Sequence, residues 1–341
     1  MNSLFMATCV PGAEEILKDE IVEVIGVKNT FALERGKVFF SLETDTEAVF
    51  RLRCADNVYL VVKRFQIGGH KEDLRAFADA IGKIDFGGLF ARKPVSFVVS
   101  ASRAGRQTYS RFELSDAAAE ALVSTGLFTP GDNNAHDAAF RIDVKDDACV
   151  FSMQLTPPEF RFRGASSATV PGGIRPTVAH CLVRLSRPRG GDVFYDPFCG
   201  AGTIAAERAF YGHRRIFASD ICGEAVSAAQ ANLRSGDAGR GAVVFRADAV
   251  ATGMKSGSVD AVVSNVPWGK QVAVDGLEGL YAGFLRELRR ILKDGGRAVI
   301  LTDRREEIGT ACREAGFEMR TAAEFSLHGL RPGAFELRKI M

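Results

Sequence analysis

From Arg175 to Thr302 the chain alternates helix-patterned and strand-patterned segments with short breaks between them, and this alternation restricts the fold more than any other feature. "PTVAHCLVRL" reads as a helix, "VFYD" as a strand, and "TIAAERAF" as a helix again. "RRIFASD" and "AVVFRAD" read as strands on either side of the helix "GEAVSAAQANL". "VDAVVSN" and "GRAVILT" repeat the pattern around "GLYAGFLRELRRIL". Successive parallel strands need crossover connections, and helices supply them, so the pattern predicts a mainly parallel α/β sheet with helices on both faces.

In such a sheet a ligand sits beyond the carboxyl ends of the strands. Four of these ends carry the unusual residues: Asp196, Asp220, Asp248 and Asn265. "DPFCGAGT" (Asp196–Thr203) lacks the G-x-G-x-x-G spacing of a dinucleotide fingerprint and the Gly-Lys-Ser/Thr of a phosphate loop, which disfavours nicotinamide and ATP. Gly200 and Gly202 allow a sharp turn and close approach of the backbone to a ligand, with the N–H groups of the next helix available to a carboxylate. Asp220 is placed to accept two ribose hydroxyls, and Asp248 suits an exocyclic adenine amine. Carboxylate, ribose and adenine together describe S-adenosylmethionine. Each residue alone has a simpler reading, since a lone Asp is often a helix cap; their conjunction at successive strand ends carries the inference.

The texture before Pro171-Gly172-Gly173 differs. "SLFMATCV", the helix "GAEEILKDEIVEVI", "KVFFSLE" and a helix over "TEAVFRLRC" form one α+β unit. The strands "VSFVVSASR" and "ACVFSMQL", with the helix "DAAAEALVST", form a second. A length of 341 residues accommodates two or three domains at roughly 150 residues each. The expected boundaries are 1–64, 65–165 and 166–341. A net charge of +2 and a pI near 8.1 give no globally basic protein, so any nucleic-acid surface must be local. The seven cysteines are scattered without a C-x-x-C pair, which points to reduced thiols in a cytoplasmic protein and away from a metal site. A leader and a membrane span are not expected, because no stretch approaches eighteen apolar residues.

"DPFCGAGT" and "SNVPWG" (Ser264–Gly269) together resemble the class I, Rossmann-like S-adenosylmethionine-dependent methyltransferases, the second segment being similar to the Asn-Pro-Pro-Tyr motif of exocyclic-amine methylation. "MATCVPGAEEILKDEI", "FVVSASRAGRQTYSRFE" and "FRFRGASSATVPGGIRPTVAHCLVRL" extend the likeness over nearly the whole chain to the THUMP-containing RNA methyltransferases. Among these it most resembles the tRNA guanine-N2 methyltransferases of the acceptor stem. The resemblance implies a ferredoxin-like domain, a THUMP domain and a catalytic domain, tRNA as partner, and a monomer without metal. It implies a cofactor site of Thr177, Asp196, Pro197, Phe198, Cys199, Gly200, Gly202, Thr203, Asp220, Ile221, Asp248, Ala249 and Asn265, and a catalytic segment of Asn265, Val266, Pro267 and Trp268. Val266 stands where many relatives have proline.

The chemistry explains these residue types. The lone pair of a guanine N2 amine is drawn into the ring, and acceptors that hold its hydrogens favour a more tetrahedral, nucleophilic nitrogen. Asn265 Oδ1 and the Val266 carbonyl are the expected acceptors, with Pro267 fixing the turn and Trp268 offering a stacking face. A base in a duplex stem must leave the stack to reach them. Arg103, Arg106, Arg111, Arg161, Arg163, Arg175 and Lys270, several interleaved with Tyr109, Phe112, Phe160 and Phe162, are the expected RNA contacts. The alternatives are guanine-N2 methylation of rRNA or of another tRNA site, an amine methyltransferase acting on DNA or protein glutamine, which shares the motif but not the N-terminal architecture, and a non-catalytic RNA-binding module.

Overall fold

The computed structural model describes residues 3–27, 31–42, 47–86, 88–90, 94–163, 168–235, 241–270, 276–327 and 329–340. The N-terminal half contains the strands β1 (Ser3–Thr8), β2 (Ala32–Glu34), β3 (Lys37–Leu42), β4 (Asn57–Gln66), β5 (Val95–Ala104), β6 (Phe128–Pro130), β7 (Ala138–Lys145) and β8 (Ala148–Gln154). They form one sheet in the order β2-β3-β1-β4-β8-β7-β5-β6. Three helices accompany it: α1 (Glu14–Ile25), α2 (Asp73–Gly82) and α3 (Arg111–Ser124). Strand β4 pairs antiparallel with β1 on one side and β8 on the other, so the two N-terminal units share a continuous sheet, and the division expected at 64/65 falls inside β4.

The second unit nonetheless has its own core. Phe77, Phe86, Phe97, Phe128, Phe140 and Phe151 pack beneath α2 and α3 in the second unit. Helix α3 starts in a capping box: the Ser110 hydroxyl accepts from Glu113 N at 3.1 Å, and the Glu113 carboxylate accepts from Ser110 N at 2.8 Å. Of "TEAVFRLRC", residues 43–46 lie outside the described residues, and the rest forms a 3-10 turn, Glu47–Arg51, rather than the α-helix expected. Two β-branched or aromatic residues in five leave little helix propensity to extend it.

The C-terminal half contains α4 (Pro176–Leu185), β9 (Val193–Asp196), α5 (Thr203–Arg208), β10 (Arg215–Asp220), α6 (Gly223–Ser235), β11 (Ala242–Arg246), β12 (Val259–Asn265), α7 (Leu277–Ile291), β13 (Leu292–Thr302), α8 (Arg305–Glu314), β14 (Phe317–Glu324) and β15 (Gly333–Lys339). The sheet order is β11-β10-β9-β12-β13-β15-β14. The first five strands are parallel, as the alternation predicts, and β15 inserts antiparallel between β13 and β14. Side chains alternate across the sheet: Phe194 enters the core shared with α4, α5 and α1, whereas Tyr195 enters the core under α7 and α8. The first of these cores also holds Phe5, Leu17, Ile21 and Phe40, so the N-terminal unit and the α/β half bury one apolar interior together.

Candidate active site

The sheet order sets β11, β10, β9 and β12 side by side, so Asp220, Asp196 and Asn265 close neighbouring strands and Asp248 follows β11 by two residues. Between β9 and α5 the chain turns through Gly200 (φ +51°) and Gly202 (φ +83°). A Cβ at Gly202 would lie 3.1 Å from the Ala229 Cβ on α6, so this turn can approach its surroundings only as glycine. Two hydrogen bonds anchor it: Cys199 N donates to Ser219 O (2.9 Å) and Gly200 N to Asp220 Oδ2 (3.0 Å). The other Asp220 oxygen accepts from Cys222 N at 3.0 Å. The carboxylate expected to hold a ribose therefore also shapes the glycine turn.

The neighbouring groups are set by packing. Phe198 packs edge-on against Phe284 of α7, with centroids 5.1 Å apart, and Pro197 and Cys199 are buried. Thr203 is half-buried at the start of α5. Ile221 is 60% exposed, an apolar side chain left in solvent beside Asp220. Asp248 is exposed, accepts Val250 N on Oδ1 at 3.0 Å, and precedes the buried Ala249. Glu287 of α7 fixes the rest of that turn by accepting from both Thr252 N and its hydroxyl.

Three buried oxygens at or just past strand ends have no hydrogen-bond partner among the described residues: Asp303 Oδ1, which lies 3.8 Å from Arg304 Nε, and two with no cation beside them, Asp196 Oδ2 and Asn265 Oδ1. Asp196 is completely buried; its Oδ1 accepts from the Ser264 hydroxyl at 2.6 Å and from Phe198 N at 3.3 Å. Burial raises its carboxyl to about 7, with the nearby Asp220 charge adding to the effect and the Ser264 and Phe198 hydrogen bonds opposing it. Asn265 donates from Nδ2 to Gly172 O at 3.0 Å, which fixes the amide plane and settles which end is the oxygen. An unpaired buried acceptor costs about 1–3 kcal/mol, so a pair at one sheet edge marks where a polar ligand compensates.

The segment after Asn265 is braced from behind. Val266 is buried and donates its N–H to Leu301 O at 3.3 Å. The Pro267 carbonyl accepts from the Tyr281 hydroxyl at 2.6 Å, and the Trp268 carbonyl from Arg304 Nε at 2.8 Å. Trp268 is half-buried, packs against the core, and donates Nε1 to Leu301 O at 3.3 Å. Its indole is thus fixed in place, whichever partner its remaining surface meets.

Comparisons with known proteins cover both halves of the chain. Residues 163–332 match the UPF0020 family, an RMKL-like methyltransferase domain, and residues 4–59 match the RlmL ferredoxin-like domain. A tRNA (guanine(6)-N2)-methyltransferase of Thermus thermophilus is 29% identical across 98% of this chain and 99% of its own length. One of Archaeoglobus fulgidus is 23% identical over 92% of this chain and 86% of its own. The crystal structure of TrmN from Thermus thermophilus superposes with a TM-score of 0.85 at 28% identity, covering 99% of this chain and 100% of that one. The chain belongs to the S-adenosylmethionine-dependent RNA methyltransferases.

For a methyltransferase of this family, the glycine turn, the orphaned Asp196 and Asn265 oxygens and the exposed Ile221 fit a bound S-adenosylmethionine at the strand ends. The basic residues divide. Arg103, Arg106, Arg111 and Phe112 are exposed at one end of the second unit, and the Arg111 guanidinium lies 4.7 Å from the Phe112 ring centroid. Arg103 reaches Gln107 Oε1 at 3.4 Å, and Tyr109 is fully buried. Arg161 is half-buried over the Phe162 ring at 4.6 Å. Arg163 and Arg175 turn inward: Arg163 donates to Phe160 O and to Arg53 O, and Arg175 pairs with Asp56 at 3.4 Å. Lys270 pairs with Asp303. Arg163 and Arg175 thus hold the chain together rather than presenting free charge to RNA, and Thr177 donates its hydroxyl to Asp56 (2.8 Å).

Sequence reasoning missed a buried ionic cluster behind the glycine turn. Glu207 of α5 accepts two hydrogen bonds from Arg53, each 2.8 Å, and lies 2.9 Å from His180 Nδ1. His180 Nε2 lies 3.0 Å from the Tyr211 hydroxyl and 3.3 Å from Glu20. Burial alone would raise the Glu20 and Glu207 carboxyls, yet hydrogen bonds from His180, and from Arg53 to Glu207, hold both below the usual range. Glu20, Cys54 and His180 place metal-type donor atoms within 4.8 Å of one another, but both Glu20 oxygens accept backbone N–H groups and His180 is hydrogen-bonded at both nitrogens. Only the helical spacing of Glu20 with Leu17 and Ile21, which puts a carboxylate on a buried face, could have signalled the cluster.

Proposed function

We propose that this enzyme methylates the exocyclic N2 amine of a guanosine in the acceptor stem of tRNA, at position 6; its relatives in Thermus and Archaeoglobus are named tRNA (guanine(6)-N2)-methyltransferases. The observation that carries the reading is Asn265 Oδ1: buried, unpartnered, and held in one orientation by the Nδ2 bond to Gly172. A fixed acceptor of this kind suits an amine whose hydrogens must be held while the nitrogen becomes nucleophilic, and it needs no reorganisation during the reaction.

The residues that would hold S-adenosylmethionine are the Gly200–Gly202 turn, Asp220, Ile221 and Asp248, with Asp196 at the base of the site. When bound, the sulfonium supplies an electrophilic methyl group. Asn265 orients the attacking amine, the Pro267 turn directs the Val266 carbonyl as the second acceptor, and Trp268 offers a face to the base. The amine becomes acidic as the new bond forms, so its proton can pass to water without a dedicated strong base. The N-terminal half supplies RNA affinity through exposed Arg103, Arg106 and Arg111 beside the 64%-exposed Phe112.

Incubating the enzyme with unmodified tRNA and methyl-labelled cofactor, followed by nucleoside mass spectrometry and mapping, tests this reading. N2-methylguanosine at position 6 is expected; label in adenosine, or only in DNA or protein, would refute it.

A further inference from the structure

The cofactor turn is gripped from behind by four residues of the N-terminal unit, Arg53 to Asp56. This short loop is itself pinned. Glu20 of α1 accepts from Arg53 N (2.9 Å) and Cys54 N (2.8 Å), and Asp56 N donates to Thr8 O of β1 (2.6 Å). From that base it reaches α5, which follows the turn, and α4, which packs against α5. Arg53 forms a two-pronged pair with Glu207 in the last turn of α5, the six-residue helix that Gly202 leads into. Asp56 accepts from the Thr177 hydroxyl at 2.8 Å and pairs with Arg175, at the start of α4.

Helix α5 is too short to hold its own direction, and both of its buried charges are fixed by groups outside it. Arg208 donates to the carbonyls of Tyr211, Gly212 and Arg189, while Glu207 is held by Arg53 and His180. The Glu207 carboxylate is 3% exposed, so losing Arg53 leaves a buried charge short of partners and drives α5 to shift. A shift there moves Gly202 and Thr203, because no flexible segment lies between them and Glu207.

We propose that Arg53 and Asp56 are positioning residues for methyl transfer: through Glu207 and Thr177 they set the Gly200–Gly202 turn, so that the N-terminal unit and a competent cofactor site form one rigid arrangement. The inference rests on the reading that the cofactor lies on this turn. It differs from an interface staple in its readout, since a staple moves the melting temperature but leaves the cofactor affinity of the folded protein unchanged.

The test uses full-length Arg53→Met, Arg53→Lys, Asp56→Ala and Asp220→Ala. S-adenosylhomocysteine affinity is measured by calorimetry well below each melting temperature, beside KM, kcat and tRNA affinity. Arg53→Met and Asp56→Ala should each weaken S-adenosylhomocysteine binding and raise the cofactor KM about tenfold, with tRNA affinity within about twofold of wild type. Arg53→Lys, which keeps one of the two hydrogen bonds, should recover part of the loss. If Arg53→Met does not fold, Asp56→Ala decides the matter, because Asp56 lies at the partly exposed rim of the cluster. Unchanged cofactor affinity in the folded variants, with binding lost in Asp220→Ala, overturns the proposal and leaves the cofactor reading intact. Full affinity in Asp220→Ala overturns both.

Discussion

Two of the buried polar clusters that line the α/β half are built in opposite ways. Behind the glycine turn, Glu20, His180, Glu207 and Arg53 satisfy one another, and the two carboxylates are held ionised. At the strand ends, Asp196 and Asn265 each keep a buried oxygen without a partner, and the Asp196 carboxyl rises to about 7. In the first cluster every carboxylate oxygen has a partner, whereas in the second one oxygen of each side chain has none. The difference teaches where intrachain architecture stops and a ligand's contribution begins: saturated polar clusters hold the frame, and unsaturated ones await reaction partners.

The most direct way to break that contrast is Asn265→Ala. If Oδ1 is an acceptor for the reacting amine, single-turnover methyl transfer with saturating tRNA should fall by about 10²–10³, as when other preorganised polar contacts to a transition state are removed. Cofactor affinity should change little; the melting temperature should fall modestly, because the Nδ2 bond to Gly172 O goes with the amide, so rates are compared at temperatures where the variant is folded. A normal rate in this variant would make "SNVPWG" architecture alone.

That site was legible in the sequence because its residues sit at strand ends, and strand ends follow from the alternation of apolar runs. Asp196, Asp220 and Asn265 each terminate a strand, and sheet order places them side by side. The parallel core was legible for the same reason. The antiparallel pair β15 and β14 was not, since "FEMRTAAE" shows no clean alternation and β15 reaches its place only by inserting beside β13. The shared N-terminal sheet escaped too: β4 is ten residues long and belongs to both units, and nothing local announces a strand with two sets of partners. The inward roles of Arg163 and Arg175 were invisible because an arginine reads as surface until its partners, here Arg53 O and Asp56, are brought from more than a hundred residues away.

Trp268 sharpens the comparison, because it belongs to both kinds of region: its indole N–H is satisfied by Leu301 O, and it packs on the core. Stacking on a base contributes ~1–3 kcal/mol. Trp268→Ala should therefore lower kcat/KM for tRNA by about tenfold to a hundredfold at temperatures where the variant is folded. Trp268→Phe keeps an aromatic face but loses the N–H and part of the ring area, so it should retain part of the activity. A variant that melts lower yet reacts normally would assign the indole wholly to the frame.

The smallest effect tests the strand-end group through its proton. The Asp196 carboxyl is raised from 3.8 to about 7 in the folded protein, so over the interval between those values the folded chain holds a proton that the unfolded chain has released. Stability must then fall as pH rises through that interval, and it levels off once the folded carboxyl has also ionised. Between about pH 6 and about pH 8 this group alone accounts for a loss of about 1.4 kcal/mol. Glu20 and Glu207, held below the usual range, act with the opposite sign and only in acid, where they lose stability as pH falls, so they do not obscure the neutral window. Asp196→Asn can keep the Ser264 and Phe198 hydrogen bonds on its oxygen and has no proton to lose. Denaturant melts of cofactor-free protein at the two pH values should show the decline in wild type and a flatter profile in Asp196→Asn; equal slopes would place the Asp196 carboxylate among the satisfied groups of the frame and remove half of the contrast.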